Sequence, residues 1–146
     1  MTIKIQDGNA LAPTKGLIIH QTNCIGVMGA GIALQIAKKW PDAEQEYIAY
    51  CAKHGADALG TVQFTQLTDD LWLGNLFGQV APGPRATVYE AYPKALRVVV
   101  DEFDDSEVHM PYLIGCGLAG GDWDVMFPLL QHYLEPISEV NVWKLV

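Results

Sequence analysis

The sequence contains no apolar run approaching the roughly 18 residues that a membrane-spanning helix requires, so no helical crossing of a bilayer is expected. Positive charge is scarce. Nine Lys and Arg stand against seventeen Asp and Glu, giving a net charge of −8. Phosphate neutralisation supplies most non-specific affinity for nucleic acid, so a general nucleic-acid binder is excluded. Lys38–Lys39, the only basic doublet, lies in an amphipathic stretch and reads as a solvated helix face. Cysteine is scarce as well: Cys24, Cys51 and Cys116 are far apart, with no CxxC pair. That argues against a disulfide scaffold or zinc ribbon and favours a reducing, cytoplasmic setting. No group of His, Asp and Glu has metal-ligand spacing, so neither a metal nor a cofactor is expected. The opening MTIKIQDGNAL lacks the apolar core of a signal peptide.

What is present suits a folded domain. Half of the 146 residues are apolar, too many for a disordered chain, and the length fits one domain over residues 1–146. Alternation at Thr2–Ile5 predicts a short strand, and Asp7-Gly8-Asn9 a turn. Gly16–Gln21 reads as a buried strand. Ile32–Trp40 has helical spacing, and Asp42–His54 reads as a second helix stopped by Gly55. Strands are expected at Thr61–Leu67 and Leu71–Phe77, then a helix at Tyr92–Phe103 with Pro93 in its first turn. Val108–Ile114 is a strand weakened by Pro111. Asp122–Leu134 is a helix with Asp122 as N-cap, and Val140–Val146 a closing strand. The alternation predicts an α/β class, with a largely parallel sheet and helices on both faces.

Two glycine-rich stretches each join a strand to a helix. The first is Gly26–Gly31 (GVMGAG); the second runs Gly115-Cys116-Gly117-Leu118-Ala119-Gly120-Gly121, ahead of Asp122. Ligands of open α/β sheets bind at that strand edge. Successive backbone N–H groups in such loops, next to a helix N-terminus, form an anion nest. Two facing nests would grip a diphosphate without a lysine, which suits an acidic chain. The bland alternative is a pair of tight turns. Neither loop continues into the Gly-Lys-Ser/Thr of a P-loop.

The order Gly8-Asn9-Ala10-Leu11, Ile19-His20-Gln21-Thr22-Asn23-Cys24, Met28-Gly29-Ala30-Gly31, Trp40-Pro41-Asp42-Ala43, Leu59-Gly60-Thr61 and Ile114–Trp123 resembles the macro domain family over nearly the whole chain. The resemblance implies a three-layer α/β/α sandwich with a mixed, mostly parallel central sheet, and a cleft for ADP-ribose derivatives. It implies that Asn9, with Ala10, stands at the adenine end, where many members carry an aspartate; Asn9 reads equally well as an Asx-turn residue. Asn23, Met28, Gly29 and Gly31 would approach the distal ribose and phosphate, although Asn23 also suits strand-end capping. Gly115, Cys116, Gly117, Leu118, Ala119, Gly120 and Gly121 would wrap the diphosphate.

The same resemblance separates branches of the family. One uses an aspartate where this chain has Ala33. Another uses a lysine and an aspartate that align with Gln79 and Ala119. None of these three side chains can perform the corresponding chemistry. The Ile-His-x-x-Asn-Cys run is similar to the ADP-ribose-1″-phosphate phosphatase branch, which needs no metal. That similarity implies hydrolysis of ADP-ribose 1″-phosphate to ADP-ribose and phosphate, with His20 as base or nucleophile. Asp122 would assist as proton donor or by orienting His20, unless it only caps its helix. Non-catalytic binding of ADP-ribose, and removal of ADP-ribose from modified macromolecules, are the competing readings. The expected partners are small ADP-ribose derivatives, with no generic nucleic acid and no membrane; the expected state is a monomer. Cys24 and Cys116 read as small buried apolar groups rather than nucleophiles.

Overall fold

The computed structural model describes residues 3–145. Six strands form one sheet: β1 (Lys4–Asp7), β2 (Gly16–Thr22), β3 (Val62–Gln66), β4 (Leu71–Phe77), β5 (Glu107–Pro111) and β6 (Glu139–Lys144). Their order is β1-β6-β5-β2-β4-β3. Every neighbouring pair is parallel except β3 with β4, which is antiparallel. Four α-helices cover the sheet: α1 (Gly31–Lys39), α2 (Pro41–His54), α3 (Tyr92–Phe103) and α4 (Trp123–Tyr133). The fold is an α/β fold with a mixed, mostly parallel sheet.

Alternation along β2 splits the core in two, because successive side chains point to opposite faces. Leu17 and Ile19 join Leu96, Val99, Met126 and Leu130 beneath α3 and α4. Ile18 joins Leu73, Phe77, Ile36, Tyr47 and Cys51 beneath α1 and α2. His20 shares the side of Ile18, and Gln21 that of Ile19. Local chemistry fixes the helix ends. Pro41 opens α2, with Asp42 and Glu44 in its first turn and Lys53 and His54 in its last, as the helix dipole favours.

Several boundaries differ from the sequence reading. The first strand begins at Lys4 rather than Thr2, and Thr2 and Val146 lie outside the described residues. β5 stops at Pro111 instead of reaching Ile114. Pro has no N–H for the ladder, and Leu113 then takes a left-handed φ of 63°. Two 3₁₀ turns, Gly55–Ala58 and Tyr89–Ala91, were not anticipated.

β5, β2 and β4 are adjacent and parallel, so the loops that follow them leave one edge of the sheet. The chain after β2 crosses to the α1–α2 face, and the chain after β5 to the α4 face. A crevice opens where adjacent connections diverge in this way.

Candidate ligand cleft

That crevice is a cavity of about 590 Å³. Among the described residues, no Lys, Arg, Asp or Glu lines it. Its walls are backbone, apolar side chains and a few amides and hydroxyls.

Asn23 knots the first loop onto itself. Its Oδ1 accepts from the N–H of Ile25 (3.1 Å) and Val27 (3.2 Å) and from the Tyr47 hydroxyl (2.8 Å), while Nδ2 donates to Val27 O (2.8 Å). The side-chain oxygen is therefore filled, and one N–H of Nδ2 remains for a ligand. Burial pushes the Tyr47 phenol well above its ordinary pKa, so it stays a donor. Beyond the knot, the N–H groups of Met28, Gly29 and Ala30 donate to no acceptor among the described residues. They lead into α1, which has no side-chain cap and no acidic residue in its first turn. Nothing there competes with an incoming anion for the helix N-terminus.

The second loop is held from outside. Gly121 N donates to Gly115 O (2.9 Å) and Gly120 N to Gly117 O (3.0 Å). The N–H groups of Gly117, Leu118 and Ala119 donate to no acceptor among the described residues. Ala119 O accepts from Ala86 N (3.0 Å) and Thr87 N (3.3 Å), which ties the segment after β4 across the loop. Gln21 fastens the same parts from below. Its Oε1 accepts from the Tyr92 hydroxyl (2.5 Å), and its Nε2 donates to Gln79 Oε1 (2.8 Å) and Thr87 Oγ1 (2.9 Å). Thr87 Oγ1 in turn donates to Gly115 O (2.5 Å). The loops meet across the cleft, where the position of a β-carbon on Gly31 lies 3.7 Å from Leu118 Cδ1.

His20 lies at the floor with 0% of its surface exposed. Its Nε2 is 2.6 Å from Asn75 Oδ1 on β4. Its Nδ1 is the one buried side-chain N or O without a hydrogen-bond partner among the described residues. Burial drives its pKa down to about 4, against a smaller opposing effect of the Asn75 hydrogen bond. The ring is thus neutral at pH 7.

Of the residues expected to bind or catalyse, the cavity gathers His20, Asn23, Gly29, Gly31, Gly115, Gly117, Leu118 and Ala119. The others do not line it. Asn9 closes an Asx turn, its Oδ1 accepting from Leu11 N at 2.9 Å. Ala10 is buried, and Met28 turns its side chain into the core beneath α1 and α2. Cys116 packs against the opposite core, and burial pushes its thiol up to about 11, so it is no nucleophile. Gly120 and Gly121 shape the loop from behind, against Pro84 and Gly115. Asp122 is exposed and caps α4, its Oδ1 accepting from Asp124 N at 2.9 Å. The structure therefore does not bring Asp122 into the cavity with His20. Sequence reasoning missed Gln21, Thr22, Pro82 and Tyr112 as lining residues. Gln21 adjoins His20 in sequence, but its partners Tyr92 and Thr87 are distant in the chain. Among the described residues no group of three or more His, Cys, Asp or Glu could hold a metal ion, and no helix is long and apolar enough to cross a membrane.

A doubly covered, mostly parallel sheet with a backbone-lined cleft at its switch point defines a class of α/β ligand-binding domain. The family model described as Macro domain matches residues 19–129, and the chain belongs to that family. It is 44% identical over 55 residues to an ADP-ribose 1″-phosphate phosphatase of Saccharomyces cerevisiae, covering 36% of this chain and 31% of that protein. It is 26% identical over 141 residues to a DNA ADP-ribosyl glycohydrolase of Thermus aquaticus, covering 93% of this chain and 39% of that protein. The chain thus matches between about a third and two fifths of the length of these two relatives. Its structure superposes on a macrodomain protein from Streptomyces coelicolor with a TM-score of 0.80 and 32% identity, over 98% of each chain.

Proposed function

We propose that this chain, as one cytoplasmic macro domain, binds ADP-ribose derivatives in the cleft and hydrolyses ADP-ribose 1″-phosphate to ADP-ribose and phosphate. The observation that carries the reading is the convergence, in one cavity without charged side chains, of two runs of unpaired N–H groups and a neutral histidine. Phosphate charge would be met by Gly117–Ala119, Gly29–Ala30 and the start of α1. Such preorganised dipoles stabilise a developing charge without the reorganisation that water needs.

Among the described residues, His20 is the only imidazole lining the cavity. A neutral imidazole accepts a proton from water as the water oxygen bonds to phosphorus. The bond from phosphorus to the anomeric oxygen breaks, and the imidazolium returns its proton to that oxygen. Burial disfavours the imidazolium, so the return step is downhill. Asp122 contributes through the N-cap of α4, which follows the second loop directly. The similarity to the phosphatase supports this substrate. Gln79 and Ala119 offer neither a lysine nor a carboxylate for the glycohydrolase alternative.

The complete burial of His20 favours a second reading, in which the protein binds ADP-ribose without turning anything over. Single-turnover phosphate release from ADP-ribose 1″-phosphate separates the two, run beside calorimetric binding of ADP-ribose. The phosphatase reading expects His20→Ala to lose on the order of 10²–10⁴-fold in rate, with ADP-ribose affinity changed little. Binding without phosphate release by the wild type establishes the second reading. Turnover by His20→Ala within a few-fold of wild type makes His20 structural.

A further inference from the structure

A single line of buried polar side chains runs from His20 across the sheet to the surface of α2. His20 Nε2 meets Asn75 Oδ1 at 2.6 Å. Asn75 Nδ2 donates to Gln63 Oε1 at 2.7 Å. Gln63 Nε2 donates to Thr65 Oγ1 at 2.6 Å, and the Thr65 hydroxyl reaches Glu46 Oε1 at 3.4 Å. The first four residues are buried, while Glu46 is exposed. The line follows the strand pairing β2–β4–β3, where His20 is in register with Asn75 and Asn75 with Gln63.

Every donor in this line points the same way, toward the carboxylate. An amide cannot reverse its polarity by itself: turning Asn75 over obliges Gln63 to turn, and the Thr65 hydrogen then points to Gln63. In that reversed line Glu46 receives nothing, and His20 Nε2 becomes an acceptor. The carboxylate accepts only, so it selects one of the two directions. Hydrogen bonds in a series also polarise one another.

We infer that Asn75, Gln63 and Thr65, anchored on Glu46, are positioning residues that hold the hydrogen of His20 on Nε2 and leave Nδ1 as its sole acceptor. The unpartnered Nδ1 is the second observation behind this inference, because a buried nitrogen without a partner is uncommon and calls for a role. The consequence for the ligand rests on the proposed function. An Nδ1 lone pair receives a hydrogen bond from water or a sugar hydroxyl and offers none to a phosphate oxygen. On that reading an acceptor Nδ1 suits an O–H group of the ligand rather than a phosphate oxygen, and the phosphates are left to the backbone.

The test is ¹⁵N NMR of histidine-labelled protein at pH 7, with the His20 signals assigned by their loss in His20→Gln. The expected result is a neutral ring with nitrogen-bound hydrogen on Nε2 alone. In Thr65→Val, which cuts the line from Glu46, the Nδ1–H form rises to a comparable population. Asn75→Leu removes the acceptor and abolishes the preference. An Nδ1–H ring in the wild type overturns the inference. So does an unchanged tautomer in Thr65→Val or, should that variant fail to fold, in Glu46→Ala, which removes the acceptor at a surface position and leaves the core intact. These readings need no turnover, so a wild type that releases no phosphate refutes the proposed reaction and leaves the tautomer result standing. Where turnover is present, Glu46→Ala is expected to lower kcat several-fold with KM within about two-fold. Both constants changing together would instead indicate a distorted cleft.

Discussion

A β-carbon built on Gly117 meets nothing within 4 Å, whereas one on Gly120 falls 1.7 Å from Pro84 O at a φ of +77°. Gly117→Glu should therefore fold normally and place a carboxylate among the N–H groups that await a phosphate. Wild-type affinity for ADP-ribose is expected to be roughly micromolar, about −8 kcal/mol, and to vanish in this variant by calorimetry with an unchanged thermal midpoint. Undiminished binding would remove the second loop from the site. Gly120→Ala has no such freedom, since only glycine tolerates both the left-handed backbone and the carbonyl. It should lose at least about 2 kcal/mol in urea denaturation; a loss under about 0.5 kcal/mol would mean that the segment carrying Pro84 yields readily.

His20 also sets a pH dependence. Its folded-state pKa of about 4 lies below the ordinary 6.5, because burial penalises the charged ring. The unfolded chain consequently takes up the proton first as pH falls. This contribution to stability is complete above about pH 6.5 and is lost progressively toward pH 4, to a total of about 3 kcal/mol. Burial shifts His109 in the same direction, so the wild type alone does not isolate His20. Thermal midpoints at pH 7 and pH 4.5 should fall less in His20→Gln than in the wild type. Parallel falls would place the acid sensitivity elsewhere.

At the scale of elements, α4 depends on its first residue's neighbour. Asp122 accepts from Asp124 N, and its carboxylate makes no other hydrogen bond among the described residues. Asp122→Ala should cost about 1 kcal/mol of stability and leave phosphate release within a few-fold. A loss approaching that of His20→Ala would return Asp122 to the reaction itself. The elements were largely legible in the chain. β4 and α3 have the bounds that patterning gives, because an apolar run between turn residues and a proline in a first turn are local signals. The end of β5 was less legible, since a left-handed leucine has no sequence signature. The site divides similarly. Glycines, Asn23 and His20 stand out as short motifs on one strand end. Asn9, Met28, Cys116 and Asp122 share those motifs yet face elsewhere, and the direction of a side chain in a loop is set by packing. Gln21 and Asn75 were invisible because their roles arise from hydrogen bonds across 71 and 55 residues of chain.

The whole molecule carries a charge of −8 without a basic stripe. A ligand's phosphates must come to neutral dipoles through a field of the same sign as their own. Two outcomes are expected. Unmodified RNA or DNA oligonucleotides should bind negligibly at physiological salt, checked by fluorescence anisotropy; submicromolar affinity would show that the net charge misrepresents the surface. ADP-ribose association should quicken as salt rises, since screening weakens the repulsion. A rate that falls with salt would point to a local positive potential at the cleft mouth.

The two glycine loops differ in how they could be exchanged between proteins. The first is tied within itself by Asn23, so residues 23–30 form a cassette whose shape travels with its own sequence, provided that a tyrosine equivalent to Tyr47 and a carbonyl equivalent to Val80 O, which accepts from Cys24 N, await it. The second takes its shape from Pro84, Ala86 and Thr87, and from Gln21 beneath. A transplant of residues 115–121 without residues 84–87 would arrive without its mould, and a deletion within residues 84–87 would be felt first in a loop some 30 positions further along the chain. Homologues that vary the length of residues 84–87, beyond the Val80 carbonyl that Cys24 N reaches, should therefore vary the second loop in concert and leave the first alone.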